Sequence, residues 1–238
     1  MTEPVDPSLA RASLRATFEA AAASSLTPLE RARIDLSEAT RRVIEELITT
    51  VAGEDDVRGA AALVREAADL LAGREHGRPY DRPAEASLLG SDHRPFLYYS
   101  PFVGTMNALA PPIAIEWLDD AIVGRVTFGL AYEGPPGHVH GGFIAAGFDE
   151  VLGFVQTMSG QPGMTGKLSV AYRSPTPLAR PLVYRARLER VEGRKVFVSA
   201  TLHADEVLCA EAEGLFIAMK PEVFERLTAV RGWTRPEQ

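Results

Sequence analysis

Two hydrophobic rhythms divide the chain. In its first third, apolar residues recur at mostly helical spacing: Leu29, Ile34, Leu36, Val43, Ile44, Leu47 and Ile48, then Val57, Ala61, Leu63, Val64, Ala67 and Leu70. That spacing lines one face of a helix. It predicts one helix from Thr27 to Gly53 and another over about 56–71. Thr27, Pro28 and Glu30 supply the first with an N-cap, a first-turn proline and a first-turn acid. An Ala-rich stretch at 8–23 favours a further helix. Residues 74–112 turn to Pro, Gly and aromatics, the composition of a connector.

Beyond the connector the rhythm becomes that of strands. They are predicted at 113–118 and 122–130, joined through Asp119-Asp120, then near 165–173, 182–191, 195–204 and 207–218. Ile122, Val126, Phe128 and Leu130 are expected on one face of the second, and Glu192-Gly193 and Asp205-Glu206 mark tight turns. Residues 142–159 are apolar around most of a helical circumference, which predicts a buried helix. Strands, one buried helix and more strands make an α+β fold, an antiparallel sheet wrapped around a helix. The expected divisions are a helical extension at 1–75, a connector at 76–112, the sheet-and-helix domain at 113–220 and a tail at 221–238. The extension shows no catalytic constellation and is expected to cover or assemble something.

Composition narrows the setting. No apolar run approaches the roughly 20 residues of a membrane span. The sequence MTEPVDPSLA lacks the basic start and apolar stretch of a secretory signal, so the cytoplasm is the expected compartment. Cys209 is the single cysteine, which excludes an internal disulfide and suits a small core residue. The net charge is −7, yet residues 167–195 carry Lys167, Arg173, Arg180, Arg185, Arg187, Arg190, Arg194 and Lys195 against only Glu189 and Glu192. A basic island in an acidic chain suggests a local anionic ligand, not nucleic acid. Solvated outer strand faces account for part of it.

The chemistry concentrates in GPPGHVHGGFIAAGFDEVLG, residues 134–153. Gly134-Pro135-Pro136-Gly137 is a rigid approach to His140-Gly141-Gly142, which stands at the start of the buried helix. The free N–H groups there form an electropositive cradle for an oxyanion. The glycines equally suit close backbone approach or a turn with positive φ. Asp149 and Glu150 interrupt the apolar helix, and a buried carboxylate is costly unless paired or used. Neighbours point about 100° apart on a helix, so only one reaches a given site. Asp149 is assigned to it, and Glu150 to a structural or interface pair. Ala145, Ala146 and Gly147 beside Phe143 and Phe148 leave room for a long chain or an aromatic ring. His138 raises a metal reading with His140 and Asp149 or His203, but no Glu-x-x-His pair or Cys-His cluster supports it, and no metal is expected. There is no G-x-S-x-G elbow and no Walker or Rossmann glycine loop. Period-two alternation puts Thr165, Lys167, Ser169 and Arg173 on one strand face.

His140-Gly141-Gly142, with an Asp nine residues after the His, is followed in order by Met164-Thr165, KLSVAYRSPTPL at 167–178, VEGRKVFVSATL at 191–202 and CAEAEGLFI at 209–217. This series resembles the hotdog-fold acyl-CoA thioesterases of the PaaI-like group, over residues 105–219. The resemblance implies hydrolysis of an acyl-CoA substrate to free acid and coenzyme A, with no cofactor besides the coenzyme A of the substrate itself. It implies Asp149 as general base or nucleophile, Gly141, Gly142 and His140 at the thioester oxygen, and Thr165 beside the carboxylate. Thr165 is as well explained as a β-favouring residue at a strand start. Lys167, Arg173, Arg194 and Lys195 are candidates for the coenzyme A phosphates, and Arg194 and Lys195 fit ordinary turn charges equally. A homodimer, or a tetramer of hotdog dimers, is implied, with the His-Gly-Gly turn of one chain facing the Asp of another. A non-catalytic acyl-CoA or lipid-binding module would use the same groove. A hotdog hydratase or dehydratase would carry Asp and His five apart in the helix, and no His follows Asp149.

Overall fold

A computed structural model describes residues 15, 25–74, 94–118, 120–161 and 163–219. The helix expected at 8–23, the tail at 221–238, Asp119 and residues 76–93 of the connector lie outside the described residues, apart from Arg15. Helix α1 is Pro28–Thr49 and helix α2 is Glu54–Ala72. α1 begins in a complete capping box: Glu30 N–H donates to Thr27 Oγ1 at 3.2 Å, and Thr27 N–H donates to Glu30 Oε2 at 2.7 Å. A short helix α3, Arg94–Tyr99, and a series of turns then lead to the sheet.

The strands are β1 Ala114–Trp117, β2 Ala121–Val126, β3 Gly163–Tyr172, β4 Leu182–Glu192, β5 Lys195–Ala204 and β6 Val207–Ala218. They form one antiparallel sheet in the order β1-β2-β4-β5-β6-β3. Helix α4, Gly141–Thr157, packs across it. Ile144, Phe148, Val151, Leu152, Phe154 and Val155 of α4 are buried against Ile122, Leu182, Tyr184, Val198, Leu202 and Phe216 of the sheet. Close approach of helix and sheet needs small residues. A Cβ on Gly147 would stand 2.4 Å from Tyr184 Oη, and one on Gly124 would stand 2.9 Å from Val151 Cγ1.

Two expectations need correction. The second strand stops at Val126, and Leu130 begins a 3₁₀ turn, Leu130–Tyr132, where it is exposed instead of sharing the face of Ile122 and Phe128. The face of β3 also switches. Pairing with β6 is shifted between Thr165 and Lys167, leaving Gly166 as a bulge. Thr165 is opposite the buried Phe216 and so lies on the helix side with Leu168, Val170 and Tyr172; Lys167, opposite Leu215, and Ser169, opposite Glu213, lie on the outer side.

The extension is anchored through polar contacts. Arg41 of α1 donates to the carbonyls of Asn107 and Thr105, and Glu45 accepts from the N–H groups of Leu130 at 2.7 Å and Ala131 at 3.2 Å. α2 buries no residue, and Leu63 and Leu70 on it are exposed. Glu45→Ala is expected to lower stability by about 1–2 kcal/mol, because two turn N–H groups lose a charged acceptor. Urea unfolding measures it, and an unchanged midpoint would show that α1 does not depend on this anchor.

Candidate active site

Loop 133–139 delivers the chain to the start of α4 in a fixed path. Gly134 N–H donates to His138 C=O, Val139 N–H to Thr176 C=O and Leu178 N–H to Gly137 C=O. Gly137 needs its glycine, at φ +75°. His140 N–H then donates to Tyr132 C=O at 2.9 Å. The N-cap of α4 is His140 itself, whose Nδ1 accepts from Gly142 N–H at 3.0 Å. With Nδ1 accepting, the neutral ring carries its proton on Nε2.

This cap revises the expected donor set. The N–H of Gly142 is engaged by His140, and those of Phe143 and Ile144 turn back to His140 C=O. Among the described residues, the Gly141 N–H and the His140 Nε2–H take no hydrogen-bond acceptor at this turn. Neither glycine has positive φ. Close approach explains them instead, since a Cβ on Gly141 would stand 3.2 Å from Tyr172 Oη and one on Gly142 3.0 Å from His140 Nδ1. Tyr172 donates its hydroxyl to Gly141 C=O at 2.8 Å. Tyr132 stacks edge-on against Phe143, with ring centres 4.9 Å apart, and Phe143 stands edge-on to His140 at 6.3 Å. Burial pushes the Tyr132 phenol above its ordinary pKa; Arg41 opposes the rise and Glu45 adds to it.

Asp149 is exposed and accepts a hydrogen bond from Thr165 Oγ1 at 2.8 Å. Glu150 turns elsewhere, to the hydroxyl of buried Ser100, which also accepts from Phe102 N–H and Val103 N–H. The two carboxylates therefore divide as their spacing predicts. Along α4, nine residues separate His140 from Asp149, a rise of about 13 Å. One chain thus brings Thr165 to Asp149, and Tyr172 to the His140-Gly141 turn, but does not bring the two groups together.

The basic candidates are also divided. Lys167 and Lys195 are opposite Leu215 and Ile217 of β6, on the strands either side of it and toward the same end of the outer face. Arg194 lies in the two-residue β4–β5 turn, Gly193-Arg194, and donates through Nε to Ala218 C=O at 2.9 Å. Arg173 lies at the far end of β3, bonded to Glu211, and does not belong with the other three. The room expected at Gly147 is taken by the Tyr184 ring. His138 Nδ1 donates to Pro136 C=O at 2.8 Å, and among the described residues no three His, Cys, Asp or Glu side chains are grouped to hold a metal. No helix among them is long and apolar enough to cross a membrane.

The sequence pattern of the thioesterase superfamily matches residues 136–210, from the loop before His140 into the first residues of β6. The crystal structure of a thioesterase superfamily protein superposes on this chain with a TM-score of 0.68 at 35% identity, over 78% of this chain and 94% of that one. The chain belongs to the thioesterase superfamily. Its antiparallel sheet around α4 is the hotdog fold. The acyl-coenzyme A thioesterase THEM4 of Mus musculus is 41% identical over 96 residues, 40% of this chain and 41% of that protein. THEM4 of Xenopus laevis is 41% identical over 91 residues. The chain thus matches about two fifths of the length of these curated relatives.

Sequence reasoning missed Tyr172, Ser100 and Glu45 around this candidate site. Only Tyr172 left a signal: an aromatic at the end of a strand that begins with Thr165.

Proposed function

We propose that the chain is an acyl-CoA thioesterase whose site is shared between two copies. The observation that carries this reading is an exposed carboxylate, Asp149, held by Thr165 about 13 Å along α4 from the His140-Gly141 donors. The thioester oxygen accepts from Gly141 N–H and His140 Nε2–H of one chain. Asp149 of the other takes a proton from water as the water oxygen attacks the carbonyl carbon, or attacks that carbon itself to form an anhydride that water then cleaves. Either way the C–S bond breaks, the acyl group leaves as free acid and the sulfur leaves as coenzyme A thiol. Turnover of acyl-CoAs from acetyl to palmitoyl, with phenylacetyl and benzoyl, tests the reading. Tight binding without hydrolysis across that panel would favour a binding module instead.

Lys167, Arg194 and Lys195 are proposed for the coenzyme A phosphates. Neutralising Lys195 is expected to raise KM several-fold with kcat nearly unchanged, because the phosphates keep their charge during hydrolysis and such contacts give uniform binding. Added salt should weaken binding of acyl-CoA but not of an acyl-pantetheine thioester. Equal salt sensitivity of the two would remove this assignment and leave Asp149 in place.

A further inference from the structure

The 3₁₀ turn Leu130–Tyr132 is capped from a distance. Its N-cap position is Gly129, which has no side chain to receive the first free N–H groups. The carboxylate of Glu45 on α1 takes that place, accepting from Leu130 N–H at 2.7 Å and Ala131 N–H at 3.2 Å. The glycine makes the room. A Cβ on Gly129 would stand 2.8 Å from both carboxylate oxygens, although its φ of −82° and ψ of −172° suit any residue. Arg41, one helical turn before Glu45, fastens α1 to the carbonyls of Asn107 and Thr105. The other end of the turn reaches the candidate site. Tyr132 C=O accepts from His140 N–H at 2.9 Å, and Glu133, the next residue, accepts from Gly137 N–H at 2.7 Å and pairs with Val139. The Tyr132 ring stands edge-on to Phe128 at 5.3 Å and to Phe143 at 4.9 Å. Glu45 thus holds the start of the turn, and His140 hangs on its end.

Resting on the thioesterase reading above, we propose that Glu45 is a positioning residue for the reaction. It sets the His140-Gly141 donors through the Leu130–Tyr132 turn and touches neither substrate nor reacting atoms. The two groups assigned to the thioester oxygen are the ring of His140 and the N–H of the next residue. Both follow the backbone that the Tyr132 carbonyl fixes. A hydrogen bond weakens steeply as its angle closes, and a misplacement of about 1 Å can cost a hundredfold in rate. Loss of Glu45 keeps both donors and loosens only their aim, so a smaller loss is expected, about tenfold. It falls on kcat, because these bonds strengthen as charge develops on the oxygen, and KM stays nearly unchanged. The helical extension, which carries no catalytic constellation of its own, enters the reaction through this one side chain.

Steady-state kinetics of the full chain, at a temperature where every variant is folded, test the role. Glu45→Ala should lower kcat about tenfold at unchanged KM. Glu45→Gln keeps one carbonyl oxygen as acceptor and should lose less. Gly129→Ala should match Glu45→Ala, because the added methyl displaces the carboxylate. The double variant should then be no worse than either single one. Thr27→Ala is the control for stability: it removes the cap at the far end of α1 and should leave kcat unchanged. An unchanged kcat in Glu45→Ala, or an equal fall in Thr27→Ala, overturns the positioning role. A second readout needs no substrate. The NMR shift of the His140 amide proton reports its bond to the Tyr132 carbonyl. Glu45→Ala and Gly129→Ala should move it toward that of a weaker bond, and Thr27→Ala should not. If the parent chain hydrolyses no acyl-CoA, the thioesterase reading fails and this resonance alone decides whether Glu45 sets His140. A resonance unmoved in both variants overturns that link as well.

Discussion

Asp149→Asn is expected to lower kcat about a thousandfold or more while acyl-CoA still binds. The substitution keeps the shape of the side chain and an oxygen able to accept from Thr165, so the hydrogen bond at 2.8 Å has a successor. What it removes is the anionic oxygen that accepts a proton or attacks carbon, a loss felt in the transition state and not in the bound substrate. Because Asp149 is exposed, the variant should unfold at the same denaturant concentration as the parent. Retention of more than about a tenth of turnover would exclude Asp149 as the reacting group. Glu150→Gln is the control on the same helix. Its parent carboxylate faces Ser100, and its effect should fall on stability, with turnover nearly unchanged.

One residue before Asp149, the expected effect is of the opposite kind. Phe148 is fully buried and meets Tyr184 edge-to-face, with ring centres 5.1 Å apart and planes at 88°. Phe148→Ala should cost about 3–5 kcal/mol, the transfer of the ring plus the cavity it leaves. Collapse around the hole is limited because Gly147 already lies against Tyr184. A domain stable by about 5–15 kcal/mol would lose much of its margin. Urea unfolding measures the loss, and a change below about 1 kcal/mol would contradict packing of this density. Adjacent positions on one helix would then separate the chemistry from the fold.

Much of this arrangement is legible in the sequence where a local rule decides the structure. The cap of α1 rests on three neighbouring residues, and Thr27 and Glu30 bond as their spacing predicts. The β5–β6 turn lies at Asp205-Glu206, with Asp205 at φ +50°. Asp149 and Glu150 diverge because 100° of helix separates them. Three features rest on distant partners and escape such rules. Leu130 has a strand-like pattern, yet Glu45, 85 residues earlier, caps the turn it begins. The bulge at Gly166 is visible only in the register with β6, and it moves Lys167 and Ser169 to the face opposite Thr165. At the start of α4, sequence suggests free donors at both glycines, but a His at the cap position takes one of them for itself.

Glu45 links the extension to the candidate site by a short route. It receives the N–H groups of Leu130 and Ala131, and the same turn presents the Tyr132 carbonyl to His140 N–H. Exchange of the Leu130 and Ala131 amides with deuterated solvent should therefore follow detachment of α1, and those of β5, in the middle of the sheet, should wait for global unfolding. Any ligand that steadies His140 should slow the first pair without touching the second. The chain thus carries its own gauge of whether its helical arm is seated.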